Sequence, residues 1–221
     1  AGHYLARFFC WSQLSPNRTW LTHTGAMNNT PHTNCLTLRL LHAAKGYKAV
    51  AFDIFDTLLK RDCAHPADLF ALMEVTHQAA LGFAEARVAA EAENRQTLGR
   101  EVTLAEIYAH PALRGTDPAA ECAAELAMIA PNRPVAQAAA ACHARGQKVY
   151  AVSDMYLPKE QIEAMLQKCG LDFLDGVFVS CEYRVQKRSG KLFKLFLQQT
   201  ALRPAEVLFV GDSPRADFAG A

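Results

Sequence analysis

Two acidic segments, each at the end of an apolar run, contain the residues best suited to chemistry. Asp53 follows such a run in KAVAFDIFDTLL (48–59), and Asp212 and Asp217 follow another in EVLFVGDSPRAD (206–217). Short runs of β-branched and aromatic residues predict buried strands, and open α/β sheets bind ligands at the carboxyl ends of their strands. Because a carboxylate buried without a partner is costly, these positions indicate a bound cation or a chemical role.

The three carboxylates also predict a cofactor. If the two strands are neighbours, Asp53, Asp212 and Asp217 converge, and three ionised carboxylates cannot crowd together unless a cation lies between them. Ligation by oxygen alone suits Mg²⁺, which takes one or two carboxylates together with waters and phosphate oxygens. We therefore expect Mg²⁺ at this site.

The elements that would position these residues alternate between helix and strand in the second half of the chain. Such alternation with near-continuous apolar strands predicts an α/β fold, in which a parallel sheet is covered on both faces. Strand 48–53 is expected in the same sheet. The predicted helices cover residues 135–146, 159–170 and 191–200, and the strands that follow them cover 148–154, 176–180 and 206–212.

Residues 64–130 are rich in Ala and Glu and have helical spacing, which predicts an all-helical block without strands. Its first helix, PADLFALMEVTHQAALGF (66–83), places Leu69, Met73 and the residues from Val75 to Leu81 on one apolar face. Three more helices are predicted to begin at Ala84, Thr103 and Pro118, and Glu106 forms a capping box with Thr103. Ahead of this block, residues 1–35 show no clear period, and 36–44 predict a short helix closed by Gly46.

Composition sets bounds on the class of protein. The chain has 221 residues, of which 51% are hydrophobic and 20% charged, enough for one substantial core and a small second lobe. Its net charge of +1 gives no field that would steer it to nucleic acid or to a membrane surface. Seven scattered cysteines without CxxC spacing indicate free thiols and a reducing, cytoplasmic location. No apolar span reaches the roughly 20 residues of a transmembrane helix.

Four motifs, taken together and in order, resemble those of the haloacid dehalogenase (HAD) superfamily, a large group made up mostly of phosphohydrolases. FDIFDTLL resembles the first motif, VYAVSD the second, QKRSGKLF the third and GDSPRAD the fourth. The resemblance covers about residues 47–221. The first motif and SDMYLP (153–158) are similar to those of an uncharacterised bacterial branch of the superfamily. It implies a Rossmann-like three-layer core over 47–63 and 131–221, an inserted helical cap over 64–130, and an N-terminal extension of unknown role over 1–46.

The resemblance also implies roles for individual residues in a Mg²⁺-dependent phosphohydrolase of small phosphorylated metabolites. Asp53 is the expected nucleophile and would form an aspartyl-phosphate. Lys187 is expected to balance the charge on phosphate or on Asp53, with Lys191 as a competing candidate. The expected metal ligands are Asp53, the backbone carbonyl of Phe55, Asp212 and Asp217, and the expected substrate contacts are Thr57, Ser153, Asp154 and Lys187. The resemblance further implies a core that continues past residue 217, and a missing final strand or helix would leave an uncovered sheet edge.

Phe55 departs from the family pattern. The family's phosphatases carry an Asp there as general acid and base, a contribution worth roughly 10²–10⁴-fold. Asp56 is next in the chain, and in an extended strand it would point to the opposite face. Activity is therefore expected mainly on substrates whose leaving group needs no proton.

Two alternatives follow from this departure. Dehalogenases of the superfamily also have an aromatic residue at that position, and they attack carbon without a metal. They need an arginine to hold the halide, for which Arg61 is a candidate. Asp212 and Asp217 argue against dehalogenase activity. The other alternative is a catalytically weak binding or regulatory domain. In the helical block, Arg87, Glu91 and Arg95 are spaced i, i+4, i+8, which favours a salt-linked helix face over a substrate site.

Overall fold

A five-stranded parallel sheet lies at the centre of the computed structural model, which describes residues 7–10 and 35–212. The strands of this sheet run in the order β1-β7-β2-β5-β6, and all its pairings are parallel. The remaining two strands form a separate antiparallel ribbon. The strands are β1 (Arg7–Cys10), β2 (Ala49–Phe52), β3 (Leu59–Arg61), β4 (Ile129–Pro131), β5 (Lys148–Ser153), β6 (Gly176–Val179) and β7 (Val207–Gly211).

The helices confirm the predicted alternation with strands. α6 precedes β5, α7 precedes β6 and α9 precedes β7, so parallel neighbours are joined through helices, as a parallel sheet requires. Within the described residues the helices are α1 (Cys35–Ala43), α2 (Asp68–Val75), α3 (Phe83–Leu98), α4 (Leu104–Tyr108), α5 (Pro118–Met128), α6 (Arg133–Ala144), α7 (Lys159–Lys168), α8 (Ser180–Tyr183) and α9 (Lys191–Thr200).

The sheet is covered on both faces, which makes the core three layers thick. Successive side chains of β2 point to opposite faces: Ala49 and Ala51 pack in a cluster with residues of α9 such as Phe196. Val50 and Phe52 pack in the larger cluster on the other face, which includes residues of α1, α6 and α7. The predicted α/β fold with a Rossmann-like arrangement is therefore confirmed.

The strand Arg7–Cys10 was not predicted, because four residues in a segment without a clear period give no strand signal. Its backbone pairs with β7 in parallel, with Cys10 opposite Gly211. The outer edge of β7 is thus paired, and β1 is the edge strand on this side of the sheet.

The helical block differs from the sequence prediction at two points. Residues 66–83 do not form one helix, because α2 ends at Val75 and His77 takes a left-handed conformation with φ 58°. Val75 and Leu81 are consequently 76% and 95% exposed instead of lying on an apolar face, whereas Leu69 and Met73 are buried as predicted. The block is also not free of strands, since β4 begins at Ile129 and pairs with β3.

Local end signals located the other helices of the block correctly. α3 ends at Leu98, and the next residue, Gly99, caps it with a positive φ of 62°. The predicted capping box is present, because the Thr103 hydroxyl accepts from the Glu106 amide and the Glu106 carboxylate accepts from the Thr103 amide. α5 begins at Pro118, as predicted.

A buried ion pair joins two helices of the block. Arg87 of α3 donates to Glu121 of α5 at 2.6 and 2.9 Å, and both side chains are fully buried. The Tyr108 hydroxyl donates to the same carboxylate at 2.9 Å. The Arg87 guanidinium also lies 4.6 Å from the ring centre of Tyr156, in the loop after β5, so the pair connects the block to the core.

The cysteines and the helix lengths concern the predictions of free thiols and of no transmembrane helix. The six cysteines whose side chains the structure describes are all free, as predicted. Across residues 35–212, none of the helices has both the length and the apolar character that crossing a bilayer requires. The cytoplasmic location stays a prediction.

We predict that Glu121→Gln destabilises the protein by about 3–5 kcal/mol, because it leaves the Arg87 charge buried without its main partner. The free energy of unfolding is measured by urea denaturation. Glu93→Gln is the matched control, since Glu93 is 63% exposed in its pair with His110 and should change stability by less than about 1 kcal/mol. Equal effects of the two substitutions would contradict this account.

Candidate active site

Asp53 and Asp212 lie at the same edge of the sheet. β2 ends at Phe52, and the next amide, that of Asp53, donates to the carbonyl of Val210 at 2.8 Å. Asp212 directly follows the last residue of β7, Gly211. Both aspartates line one cavity of about 330 Å³, which we call the carboxylate cavity. The structure therefore brings these two predicted residues together, while Asp217 lies outside the described residues.

Lys187 forms an ion pair with Asp53. Its Nζ donates to Asp53 Oδ1 at 2.7 Å, and the two side chains are only 4% and 11% exposed. Lys187 begins a 3₁₀ turn, Lys187–Ser189, between α8 and α9. Lys191, the competing candidate, is exposed at the start of α9 and is not among the residues of the cavity. The lysine predicted from the third motif is thus the one that pairs with Asp53.

Ser153 and Asp154 line the same cavity from the end of β5. Ser153 is 2% exposed. The Asp154 carboxylate accepts the Lys187 backbone N–H at 2.7 Å. Burial away from water disfavours its charged form and raises the pKa of Asp154 to about 6, although the Lys187 amide and charge oppose this shift.

Thr57 contacts Asp212 and does not line the cavity. Its hydroxyl donates to Asp212 Oδ1 at 3.4 Å, and its carbonyl accepts from the Asn132 side-chain amide at 2.7 Å. The side chain is fully buried. This placement differs from the predicted substrate contact, because the hydroxyl orients a carboxylate of the site instead.

Phe55 is held by a charged neighbour. The Arg61 guanidinium lies 3.9 Å from the centre of its ring, within the range of a cation–π contact. Arg61 is itself bound by both oxygens of Glu125, at 2.8 and 3.1 Å. This stack ties the loop after β2 to α5 in the helical block.

Asp56 lines the carboxylate cavity, so the expectation that it points to the opposite face is wrong. The alternation of side chains holds only within a strand, and β2 has already ended at Phe52. Asp56 has φ 59°, a left-handed conformation that is uncommon for a residue other than glycine.

Glu91 and Arg95 of α3 also line the cavity, which the sequence prediction missed. The predicted salt-linked face exists, since Glu91 pairs with Arg87 and with Arg95, each at 3.0 Å. Their spacing marked them as neighbours on one helix face, but only the tertiary packing shows that this face reaches the cavity.

The donor set suits Mg²⁺. Asp53, Phe55 and Asp212 line the cavity, and Mg²⁺ binds through one or two carboxylates while it keeps several waters. No cluster of three or more His, Cys, Asp or Glu side chains arranged for a metal occurs in residues 35–212. The fourth predicted ligand, Asp217, is beyond this range.

Comparisons with known proteins agree with this architecture. The family described as haloacid dehalogenase-like hydrolase matches residues 47–221. No curated protein matches the chain.

Three solved structures illustrate the likeness. An L-2-haloacid dehalogenase from Xanthobacter autotrophicus has a TM-score of 0.53 and 22% identity, over 79% of this chain and 73% of that one. A HAD phosphatase from Thermococcus onnurineus has a TM-score of 0.54 and 20% identity, over 78% and 80%. The HAD protein YfnB from Bacillus subtilis, bound to magnesium, has a TM-score of 0.53 and 18% identity, over 79% and 83%. At these identities the likeness shows a shared fold and not a shared activity.

We predict that Asp154→Asn stabilises the protein relative to wild type more at pH 7 than at pH 4. Since its pKa is raised from 3.8 to about 6 in the folded state, the folded protein holds a proton that the unfolded chain has lost in this window. The contribution of Asp154 to the free energy of unfolding of the wild type is therefore fully present below about pH 3.8 and is lost as pH rises through about 6.

Urea unfolding of both proteins across this pH range measures the difference. The control is Asp172→Asn, which removes the same charge at an exposed position. A constant difference between Asp154→Asn and wild type would contradict the raised pKa.

Proposed function

The chain belongs to the haloacid dehalogenase-like hydrolase family, and we propose that it is a Mg²⁺-dependent phosphohydrolase. It acts through an aspartyl-phosphate on a small phosphorylated metabolite. A family hydrolase can attack either phosphorus or carbon, so the choice between these reactions must come from the site itself.

The acidity of the carboxylate cavity supports attack on phosphorus. Five carboxyl groups line the cavity together with three basic side chains, and Arg61 is already neutralised by Glu125. Carboxylates crowded in this way favour the binding of a divalent cation. They would repel the carboxylate of a haloacid unless a cation were present. The acidic residues are Asp53, Asp56, Glu91, Asp154 and Asp212, and the basic ones are Arg61, Arg95 and Lys187.

Asp53 is the proposed nucleophile. Lys187 holds one of its oxygens at 2.7 Å, and we assign the attack on phosphorus to the other. The new O–P bond displaces the alcohol oxygen of the ester, and attack of water on the aspartyl-phosphate then releases phosphate and restores the carboxylate. Residues 53, 212 and 217 and the carbonyl of Phe55 would hold Mg²⁺, which when bound offsets the negative charge of nucleophile and phosphoryl group.

The neighbouring groups have supporting roles in the proposal. The Lys187 ammonium stabilises charge on the transferring phosphoryl group, and the hydroxyl of Ser153 with the following backbone N–H binds its oxygens. Thr57 keeps Asp212 oriented through its hydroxyl. Because the side chain of Phe55 cannot donate a proton, the chemistry favours acyl and aryl phosphates, whose leaving groups need none.

Dehalogenation on carbon is the second candidate, and the aromatic ring of Phe55 beneath Arg61 favours it. The Nε and Nη2 atoms of Arg61 donate to Glu125 at 2.8 and 3.1 Å, so this arginine is poorly placed to hold a halide as well. A domain that binds phosphate with little turnover is the third candidate, since the acid at position 55 is missing. Release of halide from a 2-haloacid in the presence of a chelator would favour the second candidate, and phosphate binding without turnover the third.

We expect wild-type protein with Mg²⁺ to hydrolyse p-nitrophenyl phosphate or acetyl phosphate, and a chelator to abolish the activity. Asp53→Asn should remove turnover, because the amide is a poor nucleophile, while circular dichroism shows a retained fold. Asp62→Asn is the matched control, since Asp62 is exposed and lies after β3. Full activity of Asp53→Asn would exclude Asp53 as nucleophile, and chelator-resistant activity would exclude the metal-dependent reaction.

We predict that Phe55→Asp accelerates hydrolysis of alkyl phosphates more than that of aryl phosphates, because only alkoxide leaving groups need a proton. The ratio of the two kcat values should rise by roughly 10²-fold. Phe55→Asn is the control, because it removes the ring from Arg61 without supplying an acid. An equal gain for both ester classes, or the same gain with Asn, would show that proton donation does not limit the reaction.

A further inference from the structure

A second cavity adjoins the carboxylate cavity. It has a volume of about 490 Å³, and we call it the arginine cavity because Arg95, Arg100 and Arg188 line it together with Glu101, Asp154 and Gln186. Arg95 and Asp154 line both cavities, so the two are neighbours. A phosphate ester bound at Asp53 would therefore lie beside the arginine cavity.

We infer that the arginine cavity is a subsite for a second anionic group of the substrate. The preferred substrates are then acyl or aryl phosphates whose leaving group carries a carboxylate or a second phosphate. This inference rests on the proposed phosphohydrolase function and names the substrate class of the same site.

The acidic side chains of this cavity are already engaged. Glu101 is fully buried; it accepts from Arg95 at 2.9 Å and from the Gln186 amide at 3.2 Å. Asp154 accepts the Lys187 backbone N–H. Because these carboxylates are turned toward their partners, they repel an incoming anion less than exposed carboxylates would.

Two of the three arginines retain donors for a ligand. Within the described part of the chain, the buried Nε of Arg95 has no hydrogen-bond partner, although the outer nitrogen of the same guanidinium pairs with Glu91 and Glu101. A buried donor without a partner costs free energy, so the protein neighbours of Arg95 leave part of its hydrogen-bonding capacity unused. The side chain of Arg188 is exposed, and no ion pair joins it to another described residue. Arg100, in contrast, is bound to Glu106 at 2.7 Å.

The chain places the two sets of donors side by side. Lys187 and Arg188 are consecutive residues of one 3₁₀ turn; the first contacts Asp53, and the second lines the arginine cavity. Arg95 approaches from α3 in the helical block. A substrate with two anionic groups would bridge these elements, with one group at Asp53 and the other between the arginines.

The test compares matched pairs of substrates with wild-type protein and Mg²⁺. 4-Carboxyphenyl phosphate carries a carboxylate where 4-carbamoylphenyl phosphate carries a neutral amide, and 1,4-phenylene bisphosphate adds a second phosphate to 4-hydroxyphenyl phosphate. We expect kcat/KM to be roughly tenfold higher or more for the doubly anionic member of at least one pair, the effect of one charged hydrogen bond. The pair that shows the preference distinguishes a carboxylate from a phosphate as the second group.

Arg188→Gln should lower this preference roughly tenfold. Arg39→Gln, at an exposed position of α1, is the control and should leave the preference unchanged. Arg95→Gln should also lower it, but that change removes two ion pairs, so Arg188→Gln decides the question if Arg95→Gln fails to fold. Equal kcat/KM within both pairs, or the same preference in wild type and Arg188→Gln, would overturn the subsite.

Calorimetric titration of the Asp53→Asn protein with the same four compounds separates this inference from the proposed function. A tenfold tighter binding of a doubly anionic compound without any turnover by wild type would overturn only the phosphohydrolase. Turnover by wild type with equal binding within each pair would overturn only the subsite.

Discussion

The ion pair between Asp53 and Lys187 is the contact on which the rest of the site depends. Parallel strands end at a common edge, so the residues after β2, β5 and β7 converge there, and in this chain they are Asp53, Asp154 and Asp212. Each added carboxylate raises the cost of ionising its neighbours. A buried cation from the turn after α8 offsets part of that cost, which ties the strand order of the sheet directly to the charge balance of the cavity.

The helical block completes the site because it is fixed to the core by buried charges. Arg87 and Glu121 are expensive to remove from water, and such a pair is better understood as setting a unique position than as adding stability. The Leu104 amide donates to the Tyr156 carbonyl at 2.8 Å and anchors the block a second time. With α3 held in this way, Glu91 and Arg95 line the cavities, so residues of the helical block help to define what can bind.

Sequence reasoning succeeded where the signal was local. The capping box at Thr103 and the apolar strands of the sheet were predicted correctly, because each depends on residues a few positions apart. It failed where a single backbone conformation or a distant partner determines the local structure. The turn at His77 ends α2 early, and the alternation of side chains does not extend to Asp56, because β2 ends at Phe52. The strand Arg7–Cys10 exists through its pairing with β7, and the reach of Arg95 depends on the packing of a whole helix, neither of which has a sequence signature.

The residue at position 55 links chemistry to structure. An acid there would assist the departure of an alcohol, whereas Phe55 instead provides the ring on which Arg61 lies, and Arg61 in turn holds Glu125 of α5. The loop after β2 is thereby joined to the helical block by a cation–π contact and a bidentate ion pair. One side chain thus provides this contact and lacks a proton to donate. For the proposed phosphohydrolase, the range of leaving groups and the position of the helices over the cavity are therefore expected to change together when this residue changes.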